Sequence, residues 1–296
     1  MYKRAMLFLE MIRFSHTLFA LPFALLSAVL AWQVKDRFQW LELAGILLCM
    51  VFARSVAMAF NRIADRKIDA DNPRTAVRHL PSGKLGVTET WLFLSFCAVA
   101  FIGSTTLFLL TEPPNMWPPV LSVPVLLFIC AYSFTKRFTS LAHFWLGASL
   151  LLAPVAAWIA ILGMQRIEVA LVLGGAVMFW VAGFDIIYAC QDAEFDRKAK
   201  LSSIPATVGV ANALRIAALS HVVMIVLLVA LWWIATPHMK QIYLGVVSLV
   251  AILLVYEHLL VSPTKLDRVN QAFFHVNTVV SLGLFLLVLL QVYVKW

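Results

Sequence analysis

The sequence predicts an all-α polytopic membrane protein, about nine transmembrane helices around a central cavity. Hydrophobic residues make up 62% of the 296 and charged residues 13%, with a mean hydropathy of +0.91; soluble domains average roughly 45–50% and about 25%. Nine apolar runs approach the roughly 20 residues that cross a hydrocarbon core about 30 Å thick. Alternating ten-residue strands are absent, which excludes a β-barrel.

In chain order the runs are 17–32, 43–60, 91–110, 120–134, 144–162, 169–189, 217–235, 242–261 and 273–294. Pro22, Pro124 and Pro154 fall inside three of them, which a span tolerates where neighbouring groups re-satisfy the freed backbone. Lys3 and Arg4 precede the first run, but no small-residue cleavage site follows, so that run reads as a retained span rather than a signal peptide. The chain reads as a single domain, 1–296, with an internal duplication of helices 1–4 against 5–8.

Seventeen Lys and Arg side chains fall on the side of the N-terminus and five on the other, with Arg54 inside a span. The positive-inside rule therefore predicts a cytoplasmic N-terminus and an external C-terminus. The formal charge of +8 lies in short loops between spans, so it reports orientation and not nucleic-acid binding. Cys49, Cys97, Cys130 and Cys190 lack metal-type spacing and read as apolar packing residues.

The acids carry the chemistry. Seven of fifteen fall in two segments, Asp65, Asp69 and Asp71 after the second span, and Asp185, Asp192, Glu194 and Asp196 around the end of the sixth. Asn61, Asp65 and Asp69 are spaced i, i+4, i+8, as are Tyr188, Asp192 and Asp196, with Asp185 a further turn back. On continuous helices such residues line one face. Like charges at that spacing repel, so a cation is expected between them. Mg²⁺ fits: it takes oxygen ligands and is commonly held by one or two carboxylates plus substrate phosphates. Two such clusters on one membrane face suit a diphosphate leaving group. A transporter is the rival from another class, but carriers place polar residues near the midplane.

The stretch Asn61–Asp69, with Asn72-Pro-Arg74-Thr75 and Arg78-His-Leu-Pro-Ser-Gly83-Lys84, resembles the first aspartate-rich motif of the UbiA superfamily of intramembrane prenyltransferases. Asp185–Asp196, followed by Ser202-Ser203-Ile-Pro205, resembles the second, and Tyr132-Ser-Phe-Thr-Lys136 resembles the Tyr-x-x-x-Lys element between them. The likeness covers essentially the whole chain. Arg62, His79 and Ala199-Lys200 depart from the common pattern and leave the metal positions intact.

The resemblance implies Mg²⁺-dependent transfer of a polyprenyl group to a ring carbon of 4-hydroxybenzoate or a dihydroxynaphthoate in quinone biosynthesis. It places the enzyme in a bacterial inner membrane with its active site on the cytoplasmic side and no obligate protein partner. The opening Ile12-Arg13-Phe-Ser-His16-Thr-Leu-Phe-Ala-Leu-Pro22 and the Asn61-Arg62 pair resemble the branch associated with menaquinone made by the futalosine route.

Under that resemblance Asn61, Asp65 and Asp69 form one Mg²⁺ site and Asp192 and Asp196 the other, with Asp185 as helper. Tyr132 and Lys136 reach diphosphate oxygens, joined by Tyr188 and by Arg66, Arg74, Arg78, Lys84 and Lys200. Arg54 lies seven residues before Asn61, two turns deeper on the same face. Its planar fork suits an aromatic carboxylate, with a structural pairing to Glu257, beside His258, as the competing assignment. Arg13 and His16 are further candidates for the acceptor.

Overall fold

A computed structural model describes residues 2–12, 17–235, 239–266, 268–269 and 276–293. The regular elements are helices: α1 (Tyr2–Met11), α2 (Thr17–Lys35), α3 (Trp40–Ala64), α4 (Arg66–Asp71), α5 (Val87–Thr105), α6 (Trp117–Thr135), α7 (Ala142–Leu162), α8 (Ile167–Ala189), α9 (Ala193–Lys198), α10 (Ile204–Val208), α11 (Val210–Ile234), α12 (Ile242–Leu259) and α13 (Asn277–Tyr293). Among the described residues seven helical stretches are long and apolar enough to span a membrane. Two shorter apolar helices, Ala20–Lys35 and Asn277–Gln291, cover the first and last of the sequence runs. The protein is thus an all-α, multi-pass membrane protein. Exposed side chains such as Leu92, Phe96 and Val99 on α5 repeat at helical spacing and present apolar surface outward, as lipid contact requires.

The chain folds as two compact units, residues 1–17 with 39–134, and 18–38 with 135–296. In the first, α3 lies against α5, and the ring of Phe108 packs where a side chain at Gly45 would stand. Phe60 on α3 meets Trp91 and Phe134 edge-on at ring-centroid distances of 6.3 and 5.7 Å. The α1 helix docks on the start of α5, with Phe8 stacked on Phe93 at 4.6 Å and Arg4 paired with Glu89.

In the second unit α8 is the spine. Two-thirds of its membrane-length window is buried, the highest share of any span. Small residues allow its neighbours to approach. A Cβ on Gly147 of α7 would lie 2.3 Å from the Met178 carbonyl oxygen, and one on Gly183 would lie 2.3 Å from the His221 imidazole of α11. The α2 helix belongs to this unit, its Ser27 hydroxyl donating to the Pro154 carbonyl at 2.7 Å. Buried polar groups are tied to one another: Trp180 Nε1 donates to Asn277 Oδ1 at 2.7 Å, and Asn277 Nδ2 donates to Glu257 Oε1 at 3.2 Å. His221 and His258 face each other at 3.0 Å. Glu257, offered above as a partner for Arg54, is therefore engaged by Asn277 of its own unit. Cys49, Cys97, Cys130 and Cys190 are free, with Cys97 and Cys190 buried.

Because the Met178 oxygen is backbone and cannot swing aside, Gly147→Ala is expected to destabilise the fold by about 1–3 kcal/mol. Gly103→Ala on α5, with nothing within 4 Å of the added carbon, is expected to be tolerated. Thermal unfolding in detergent checks both; equal midpoints for the two variants would contradict the close-packing account.

Candidate active site

Both acidic motifs sit where a long apolar helix stops. The helices do not run through, as uninterrupted i, i+4, i+8 spacing would have it. In the first unit α3 ends at Ala64, Asp65 takes φ −95°, ψ 5°, and α4 restarts at Arg66. In the second, α8 ends at Ala189, a 3₁₀ turn spans Cys190–Asp192, Asp192 takes φ −102°, ψ 3°, and α9 restarts at Ala193. Each aspartate thus occupies the sparsely populated bridge region, a conformation common at active sites. Helical bonding survives across the first break, with the Asp65 N–H on the Asn61 carbonyl at 2.9 Å and the Asp69 N–H on the Asp65 carbonyl at 2.7 Å. Asn61, Asp65 and Asp69 therefore stay in helical succession across the irregular dihedrals of Asp65.

In the first motif Asn61 Nδ2 donates to Asp65 Oδ2 at 2.8 Å and reaches Ser133 Oγ on α6 at 3.4 Å. That orients the amide and leaves its oxygen a candidate metal ligand. Asp69 is 5% exposed. Arg78 Nη1 donates to its Oδ1 at 2.7 Å, while Oδ2 is buried with no hydrogen-bond partner. The turns after α4 that return Arg78 to Asp69 are held locally. Asn72 Oδ1 accepts from the Arg74 N–H, and Thr75 Oγ1 donates to the Asp69 carbonyl at 3.0 Å.

The second motif repeats the arrangement. Asp192 is 9% and Asp196 3% exposed, and Asp196 Oδ2 is again buried without a partner. Asp185 lies back on α8 and receives His143 Nδ1 on its Oδ2 at 2.7 Å. His143, near the start of α7, has no motif spacing and was not legible in the sequence. The segment after α9 is pinned by the Leu201 N–H on the Asp196 carbonyl at 2.8 Å and the Ser202 N–H on the Lys136 carbonyl at 2.7 Å.

The basic candidates divide. Arg78 is committed to Asp69, and Arg66 Nη1 donates to the Ile63 carbonyl at 3.0 Å at the end of α3. Lys84 and Lys200 are exposed, the latter in a left-handed turn with φ 56°. Tyr132 near the end of α6, Lys136 just beyond it and Tyr188 on α8 are half-buried. Arg54 is half-buried on α3. Arg13 and His16 lie outside the described residues.

A buried carboxylate oxygen without a donor is costly unless a cation takes it. One such oxygen in each motif fits Mg²⁺. Among the described residues no three His, Cys, Asp or Glu side chains form a cage for a metal.

The model of the UbiA prenyltransferase family matches residues 20–279. The chain belongs to that family. It is accordingly a prenyltransferase. It is 32% identical over 209 residues to the 4-hydroxybenzoate octaprenyltransferase of Acidovorax ebreus (strain TPSY), covering 70% of this chain and 69% of that protein. Among the similar octaprenyltransferases the alignment spans between 53% and 84% of the relative's own length. The fold is similar to the apo structure of a UbiA homolog from Aeropyrum pernix K1, with TM-score 0.81, 29% identity and coverage of 93% of this chain and 98% of that one. A UbiA homolog from Archaeoglobus fulgidus, solved bound to DMAPP and Mg²⁺, shares the fold at TM-score 0.68 and 20% identity, covering 95% and 98%.

Removing Arg78 leaves Asp69 buried with no cation. Arg78→Ala is expected to cost about 1–3 kcal/mol of stability in metal-free buffer, and added Mg²⁺ is expected to recover part of the loss by binding the folded form. Unfolding midpoints with and without Mg²⁺ decide; a loss that Mg²⁺ leaves untouched would argue against a cation on Asp69.

Proposed function

We propose that this prenyltransferase moves a polyprenyl group from a polyprenyl diphosphate to a ring carbon of 4-hydroxybenzoate, or of a related hydroxy-aromatic acid such as dihydroxynaphthoate, in quinone biosynthesis. The observation that carries the reading is the matched pair of helix breaks, each with a buried Asp oxygen that lacks a donor. The similarity to 4-hydroxybenzoate octaprenyltransferases supports the substrates, and the Archaeoglobus homolog solved with DMAPP and Mg²⁺ supports the metal.

Asn61, Asp65 and Asp69 would hold one Mg²⁺, and Asp192 and Asp196, with Asp185 as helper, a second. Bound there, the ions would neutralise diphosphate oxygens and stabilise the leaving group, the principal catalytic term in such a site. Tyr132, Lys136, Tyr188, Lys84 and Lys200 would hydrogen-bond or neutralise the remaining oxygens. Arg78, held against Asp69, and Arg66, at the end of α3, would add positive charge near the same oxygens. Arg54 would take the carboxylate of the acceptor in its planar fork, which fixes the ring's orientation. The allylic C–O bond ionises, the ring carbon beside the phenol hydroxyl attacks the cation, and the ring then loses its proton. The apolar outer faces of the spans suit a long prenyl tail in contact with lipid. The positive-inside bias supports a diphosphate end on the cytoplasmic side, in the proposed bacterial inner membrane.

Purified protein given 4-hydroxybenzoate, a polyprenyl diphosphate and Mg²⁺ is expected to form the ring-prenylated acid, and dihydroxynaphthoate in competition identifies the preferred acceptor. Asp65→Ala and Asp192→Ala are each expected to lower turnover at least about a hundredfold with folding retained. Full turnover in either variant, or in excess chelator, would sink the two-metal assignment; no product from any phenolic acid would remove the acceptor class.

A further inference from the structure

The geometry points to His143 as a positioning residue for the second acidic motif, holding the Asp185 carboxylate in one orientation and coupling it to the segment that carries Lys200. This rests on reading that motif as a Mg²⁺ site.

His143 is 0% exposed and stands near the start of α7, 42 residues before Asp185 in sequence. An imidazole buried so completely needs partners on both nitrogens, since a bare one loses its water without gaining a hydrogen bond. Both are engaged. The Ile204 backbone N–H points at Nε2, 3.4 Å away. A backbone N–H can only donate, so Nε2 is the acceptor. The ring proton of the neutral imidazole then sits on Nδ1, which donates to Asp185 Oδ2 at 2.7 Å. The main chain of α10 therefore selects the tautomer, and the tautomer determines that His143 donates to the carboxylate. Bonds to an ionised acceptor are about twice as strong as neutral ones.

The contact does more than satisfy a buried histidine. It takes one oxygen of Asp185 and orients the carboxylate, leaving Oδ1 to face elsewhere. Ile204 follows Ser203, which is fully buried and whose Oγ accepts from the Ala206 N–H at the start of α10. One residue earlier, the Ser202 N–H bonds the Lys136 carbonyl. The ring of His143 thus joins α8, at Asp185, to the first residue of α10, which directly follows the segment that carries Lys200. Groups that orient metal-binding carboxylates typically change metal affinity or activity by about 10–100-fold when removed.

The test is Mn²⁺ binding, followed by electron paramagnetic resonance in the presence of inorganic pyrophosphate, on the purified full chain and on His143→Ala, His143→Asn and His143→Gln. Metal-free unfolding midpoints are measured on the same samples. An Asn amide nitrogen overlies imidazole Nδ1, whereas a Gln amide nitrogen overlies Nε2. His143→Ala is expected to weaken Mn²⁺ binding by about 10–100-fold, His143→Asn to recover most of it, and His143→Gln to recover little. Where His143→Ala does not fold, the Asn and Gln pair alone decides. Equal Mn²⁺ affinity in wild type and all folded variants would overturn the assignment, as would losses that follow the unfolding midpoints with no difference between Asn and Gln. Absence of Mn²⁺ binding in the wild type would instead overturn the metal reading beneath it.

Discussion

A carboxylate placed at the end of an apolar helix, away from bulk water, has to find positive charge or hydrogen-bond donors. In this protein Asp69 and Asp196 are each buried with Oδ2 left without a donor. The surrounding fold makes sense as the means of tolerating that arrangement. Arg78 returns across a long run of turns to occupy one oxygen of Asp69 and leaves the other. The segment after α9 closes over Asp196 with main-chain bonds that do not reach its side chain. A prenyl diphosphate site of the kind proposed gains from carboxylates whose cost is relieved only when cations and substrate arrive together.

Each acidic motif begins where the regular helix of a span is interrupted. Bridge-region dihedrals at Asp65 and Asp192 separate α3 from α4 and α8 from α9, and at the first break the i, i+4 main-chain bonds are kept. In the second unit the break stands at the end of α8, the most buried span, held closely by α7 and α11 through Gly147 and Gly183. The polar network of Trp180, Asn277, Glu257, His221 and His258 keeps the same helix anchored with few unpaired groups. Rigid packing along the span and a deliberate irregularity at its end are parts of one device.

The spans were legible because membrane thickness imposes length and apolarity on a helix, and these survive in composition alone. The acidic motifs were legible because four-residue spacings within one segment are local. The breaks at Asp65 and Asp192 were not, since alternation of polar and apolar residues does not report a change of φ and ψ at one position. His143 was hidden for a different reason. Its partner is 42 residues away, and a lone histidine at the start of an apolar run has no periodicity to mark it. Arg78 was visible only as one of several cations that topology alone demands, and its commitment to Asp69 depends on the turns between them. The grouping of α2 with the later helices likewise lies in tertiary packing and not in spacing.

Counting Mn²⁺ bound per chain at saturation, with a non-ionisable prenyl diphosphate analogue present, is the sharpest check on the proposal that each acidic motif holds one divalent cation. Two ions are expected in the wild type, falling to one in Asp69→Ala and to one in Asp196→Ala. A single ion in the wild type, or two ions retained in either variant, would contradict it.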